Sequence, residues 1–129
     1  MSHTHRILAA AALAFVTMAC DSGTTRQSAR AQATSLTCQR YDMCMMIGAG
    51  KTYASQEECE IKWQANWEGH WPSAECDGKI NQAELETCLA AIRSTSCDNA
   101  LDFLTTVFGK CPKEKVCSAS ATPADGGGQ

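Results

Sequence analysis

Residues 55–78 read SQEECEIKWQANWEGHWPSAECDG. All three tryptophans of the chain lie here, Trp63, Trp67 and Trp71, spaced by four, with Cys59 and Cys76 near the two ends. A spacing of four lines side chains along one side of a helix. Ser55 with Glu58 three residues on is a capping-box pattern, in which the hydroxyl accepts a backbone N–H and the carboxylate reaches back. Glu57, Glu58 and Glu60 fall in the first turn, where the helix dipole favours negative charge. These acids read as helix-start chemistry, ahead of a metal or catalytic carboxylate cluster. Pro72 marks the end. The stretch predicts a helix with a tryptophan stripe, held by crosslinks at both ends.

The stripe has two readings. Indoles bury large areas and pack well against disulfides. Exposed, they would form a platform for a sugar, a peptide or a membrane surface. The expected domain has one phenylalanine pair, Phe103 and Phe108, and few long aliphatics, so Trp63 and Trp67 are needed inside. Trp71, beside Pro72, is left open. His70 is the only histidine outside the first six residues. Alone it cannot build a multi-histidine metal site, and a place near the last carbonyls of its helix is expected.

Working outward, the chain has 129 residues, room for one domain, and nine cysteines. A domain this small buries little apolar surface, and disulfides are the common remedy in an oxidising compartment. A net charge of −3 and the lack of a basic stripe argue against a nucleic-acid partner.

Residues 1–6 end in Arg6, and residues 7–19 (ILAAAALAFVTMA) are apolar or small. This is the layout of a secretory signal, with an apolar run too short to span a bilayer. It ends at Thr17-Met18-Ala19-Cys20, which resembles a bacterial lipobox, although Thr17 stands where leucine is usual. That resemblance implies a diacylglycerol on Cys20 and cleavage after Ala19. The rival reading is ordinary signal cleavage at the same bond. Parity favours lipid: without Cys20, eight cysteines remain and can pair fully. Residues 20–35 then read as the lipidated cysteine and a flexible tether, small and polar with no apolar period.

A first helix is expected from about Ser35 to Ile47, with Cys38, Tyr41 and Met45 on one face and Gly48-Ala49-Gly50 as its stop. Met43, Met45 and Met46 could mark a soft-metal site or an adaptable surface, but core filling is the plainer reading. After the tryptophan helix, residues 73–84 (SAECDGKINQAE) resemble part of an EF-hand calcium loop. The resemblance implies Glu75, Asp77 and Glu84 as ligands, but Ser73 stands where aspartate is required. The local reading is favoured: Asp77-Gly78 is a turn, and Asn81 with Glu84 caps the next helix. That helix, Gln82 to Ser94, carries Leu85, Cys88, Leu89 and Ile92 at i, i+3, i+4, i+7. A fourth runs from about Asn99 to Phe108, with Leu101, Leu104 and Phe108 on one face, and Phe103 and Val107 beside it. Cys111 and Cys117 bracket a lysine-rich turn, and residues 118–129 read as a disordered tail.

Cys38, Cys44, Cys59, Cys76, Cys88, Cys97, Cys111 and Cys117 include no pair separated by two residues. That removes thioredoxin-type redox motifs, zinc knuckles and covalent haem attachment. Four structural disulfides are expected, with Cys44–Cys59 a guess for one of them. Plant lipid-transfer proteins also set eight cysteines on four helices, but their Cys-Cys and Cys-x-Cys are missing here.

Together, the lipobox-like signal and Cys…Trp…Trp-Pro…Glu-Cys-Asp-Gly-Lys-Ile, then Cys-Leu-Ala-Ala-Ile-Arg-Ser…Cys…Cys-Pro…Cys, resemble an uncharacterised family. It consists of small cysteine-rich lipoproteins from myxobacteria and related bacteria. The resemblance covers most of residues 36–117 and implies location and architecture, not an activity. The expectation is therefore an all-α domain over 36–117, a small bundle of about four short helices stapled by disulfides. It is exported and lipid-anchored in the bacterial envelope, on whichever membrane. No acid, base and nucleophile set is visible, so a non-catalytic module without a cofactor is expected. Its partner would be an envelope protein, a glycan or a small ligand. The alternative is a calcium-binding module using residues 73–84.

Overall fold

The computed structural model describes residues 23–98 and 100–118, with the side chains of 100–103 and 106 left out. The expected signal, Cys20, residues 119–129, and the side chains of Leu101 and Phe103 lie outside the described residues. Helices account for the architecture: α1 (Arg26–Met43), α2 (Gln56–His70), α3 (Ser73–Cys76), α4 (Gln82–Ser94), α5 (Ala100–Lys110) and α6 (Lys113–Val116). Of these, α3 and α6 are single turns of four residues. Among the described residues the only extended pairing is one isolated bridge between Ile47 and Tyr53.

The central helix forms as its sequence demands. Ser55 Oγ accepts from the Glu58 N–H at 3.1 Å, and Glu58 Oε2 accepts from the Ala54 N–H at 2.8 Å. Cys59, Trp63, Trp67 and Trp71 are all fully buried. So Trp71 belongs to the core as firmly as the other two. Its ring stacks on Trp67 at 4.5 Å, and Phe108 lies 5.7 Å from Trp63 and 5.6 Å from Trp67.

The largest correction concerns the expected tether. Helix α1 starts at Arg26, not near Ser35, and Thr25 caps it by accepting the Ser28 N–H at 3.1 Å. Residues 26–35 therefore belong to the folded domain. The physical reason lies in Ala29, Ala33, Thr37 and Tyr41, all buried and also spaced by four. Two helices that bury stripes of this spacing can interlock ridge into groove. Arg30 bonds the Gln64 carbonyl at 3.1 Å, Arg26 meets Glu68 at 2.8 Å, and Cys38 is bonded to Cys59. These links make α1 antiparallel to α2 and set Ala29 and Ala33 at the level of Trp67 and Trp63. Small residues on one helix make room for indoles on the other.

The end of α1 also departs from expectation. The helix stops at Met43, before Gly48, and the left-handed residue is Met45, with φ of 57°. The Met46 N–H bonds the Tyr41 carbonyl at 2.9 Å, and the Met45 N–H bonds the Asp42 carbonyl at 2.8 Å. This is the two-bond termination that glycine usually serves.

Helix α4 spans the expected residues, and Leu85, Cys88, Leu89 and Ile92 are buried. On α5, Val107 is buried, with Leu104 and Phe108 packed at its sides. Four disulfides join Cys38–Cys59, Cys44–Cys97, Cys76–Cys117 and Cys88–Cys111. The guessed Cys44–Cys59 bond is therefore wrong. Cys59 lies inside the α1–α2 seam, where Cys38 faces it, while Cys44 lies past the end of α1.

Candidate functional site

The sequence directs attention first to the end of α2 and to residues 73–84. There, the backbone turns into α3 immediately after Pro72, so Ser73–Cys76 is helical and does not wrap a cation. Glu75 pairs with Lys113, and the hydrogen bond to that carboxylate raises the lysine's pKa. Asp77 turns the other way and accepts from Arg26 Nε at 2.8 Å. Glu84 sits in the first turn of α4, where its N–H donates to Asn81 Oδ1 at 3.3 Å. The three expected calcium ligands thus do not converge. Among the described residues, no three His, Cys, Asp or Glu side chains are grouped to hold a metal. The local reading of this segment, a turn followed by a cap, is the one the geometry bears out.

His70 does not cap its own helix. Its Nε2 lies 2.8 Å from the carbonyl of Cys111, and the same oxygen accepts from Trp71 Nε1 at 3.2 Å. One carbonyl at the end of α5 therefore fastens the end of α2. The ring is half-buried, 4.7 Å from Phe108 and 5.7 Å from Trp67.

A feature that the sequence reading missed is the guanidinium clamp at the start of α1. Arg26 is almost wholly buried along its side chain and donates to Glu68, Asp77 and the Trp71 carbonyl. Arg30 pairs with Glu68 and bonds the Gln64 carbonyl. A shallow groove of about 420 Å³ opens beside them, lined by Arg26, Gln27, Arg30, Ala31, Gln64 and Asp77. Its cations already have carboxylate partners, so it is not an anion site. The available signal was the spacing of two arginines by four, which is weak.

At the opposite end of α1 lies a second expected feature, the methionines. Met43 and Met45 are each 70% exposed, so core filling fails for both, while Met46 is partly buried against the core. Nearby, Tyr41 and Tyr53 meet edge to face at 5.0 Å. Burial pushes the Tyr41 pKa well above its ordinary value, and the neighbouring Tyr53 adds to the rise. Cys97, on the link between α4 and α5, is exposed, and its partner Cys44 is half-buried.

Comparison with known proteins bears on the cysteine pattern. A family of unknown function, DUF6184, matches residues 38–119. The chain belongs to that family. The matched stretch runs from the first disulfide cysteine to just past the last, so the DUF6184 region holds all eight paired cysteines. It begins about two-thirds of the way along α1 and leaves out the turns that carry Arg26 and Arg30. No curated protein and no solved structure matches the chain. Four disulfides suit an extracellular or envelope setting, since such bonds persist where the surroundings are oxidising. No helix of the described residues is long and apolar enough to cross a membrane.

Proposed function

We propose that this DUF6184 protein is an exported envelope module, anchored by lipid on Cys20, that acts by binding or by its structure rather than by catalysis. The observation that carries the reading is cysteine pairing. The chain has nine cysteines, and eight are joined to one another. Cys20 is left without a partner cysteine in the chain, at the end of a lipobox-like run. A thiol left over in an oxidising compartment is a liability, and acylation removes it. The resemblance to small cysteine-rich lipoproteins of myxobacteria supports the same reading.

The described fold changes the picture of the anchor. Cys20 precedes Gly23 by three residues, and three residues span at most about 11 Å. Thr24 is already docked by a hydrogen bond to Gln82, and Thr25 caps α1. An anchored domain therefore rests against the bilayer surface rather than swinging above it. The end that holds Thr24, Gln82 and Ser118 faces the membrane. The end that holds Met43, Met45 and the Cys44–Cys97 bond faces away, towards an envelope protein, a glycan or a small ligand.

Intact-mass analysis of the mature protein tests the anchor. The expected product lacks residues 1–19, carries diacylglycerol on Cys20 and shows no free thiol. A mature chain with an unmodified Cys20 sinks the lipid-anchor reading.

A further inference from the structure

The four disulfides do not share one environment. Cys38, Cys59, Cys88 and Cys111 are fully buried, and Cys76 is buried beside a partly covered Cys117. In Cys44–Cys97 alone of the four, neither cysteine is buried, and Cys97 is exposed. Access governs thiol–disulfide exchange, because the attacking thiolate must reach a sulfur in line with the bond. Exposed disulfides are the labile ones, and buried ones resist.

The position of this bond makes its opening a local event. It ties Cys44, just past α1, to the link between α4 and α5. The tryptophan core is held elsewhere, by Cys38–Cys59 in the α1–α2 seam, by Cys88–Cys111 between α4 and the end of α5, and by Cys76–Cys117. Among its described residues the link keeps one further hydrogen bond to α1, from Arg40 Nε to the Thr95 carbonyl at 2.6 Å. Beyond Thr95, the hydrogen bonds among the described residues of the link are local, between Ser96 and Asp98. Breaking the disulfide frees that short stretch beside the exposed Met43 and Met45, and leaves the core untouched.

We propose that Cys44–Cys97 is a thiol-exchange site, opened and closed by a dithiol oxidoreductase of the envelope while the rest of the domain stays folded. A thiolate of the dithiol protein attacks Sγ of the exposed Cys97. The Cys44–Cys97 bond breaks, and the electron pair leaves on Cys44 Sγ, which takes up a proton. The second thiolate of the donor then attacks the donor's own sulfur in the mixed disulfide. Cys97 leaves as a thiolate and is protonated, and the donor becomes a disulfide. Two electrons have passed to this chain, and the reverse sequence restores the bond. Oxidoreductases in solution can reach it because α1, at 18 residues and about 27 Å long, sets it away from the anchored end. That orientation rests on the lipid-anchor reading, whereas the chemistry of the bond does not.

The test uses the full mature protein, treated with increasing dithiothreitol, quenched with N-ethylmaleimide and mapped by peptide mass. Cys44 and Cys97 are expected to be labelled at least tenfold faster than the other six disulfide cysteines, with tryptophan fluorescence and helical signal unchanged at that stage. Labelling of another pair first, equal rates at all four bonds, or loss of the tryptophan signal with the first bond overturns the proposal. A control without dithiothreitol separates the two readings: labelling of Cys20 there removes the anchor and leaves the exchange site standing. The double variant Cys44→Ser with Cys97→Ser is expected to keep native tryptophan fluorescence. Failure of that variant to fold also overturns the proposal, since an exchanged domain would then unfold.

Discussion

Helices α1 and α2 bury stripes of the same period, yet they are built from opposite materials. Along α2 the stripe is Cys59, Trp63, Trp67 and Trp71, and along α1 it is Ala29, Ala33, Thr37 and Tyr41. Large rings supply the apolar area, and small residues supply the space for them. Neither stripe would hold alone. Indoles on a lone 15-residue helix have nothing to pack against, and alanines on a lone 18-residue helix bury too little to order it. The difference teaches that a helix can earn its place by what it leaves empty.

The comparison breaks most severely on the α2 side. Trp67 touches Trp63, Trp71, His70 and Phe108 by ring contacts. Trp67→Ala would leave a cavity that neighbours held by disulfides cannot collapse to fill. A destabilisation of about 3–5 kcal/mol is expected by chemical denaturation with the disulfides intact. A loss under 1 kcal/mol would show that the stripe is not the centre of the core.

The α1 side breaks in the opposite sense, through too much volume. Ala33 is fully buried at the level of Trp63. Ala33→Leu adds apolar surface, and leucine is nearly as good a helix former as alanine, so propensity predicts little harm. Overpacking predicts a loss of about 1–3 kcal/mol. The measured sign decides whether α1 is a fitted partner of the tryptophans or a loosely attached arm.

This asymmetry also explains what could be read in advance. Helix α4 was legible to the residue, because Leu85, Cys88, Leu89 and Ile92 are large and periodic. Helix α2 was legible through its cap and its tryptophans. The first half of α1 was not, because Ala29 and Ala33 sit among Gln, Ser and Arg, and alanine is as common in tethers as in packed seams. Its clamp was hidden for the same reason: Arg26 finds Glu68 and Asp77 only after α1 has docked. Disulfide pairing was closed to sequence, since which sulfurs meet depends on the antiparallel register of α1 and α2. For the candidate site, the turn at Asp77-Gly78 and the cap at Asn81 were visible locally. The exposure of Met43 and Met45 was not, because their faces depend on where α1 ends.

That ending offers the smallest and most discriminating test. Met45 holds φ of 57°, a left-handed conformation that costs a residue with a Cβ about 1–2 kcal/mol. Met45→Gly removes that cost, but glycine also loses more freedom on folding, which returns about 0.4–1 kcal/mol. The side chain is 70% exposed, so little packing is lost. The balance is a gain of about 0.5–1 kcal/mol, read as a rise in denaturation midpoint with unchanged slope. Such a gain means that the fold tolerates strain at α1's end to display a methionine where glycine would terminate the helix better. A neutral or destabilising result means instead that Met45 makes a contact worth as much as the strain, and that α1 ends by packing as it begins.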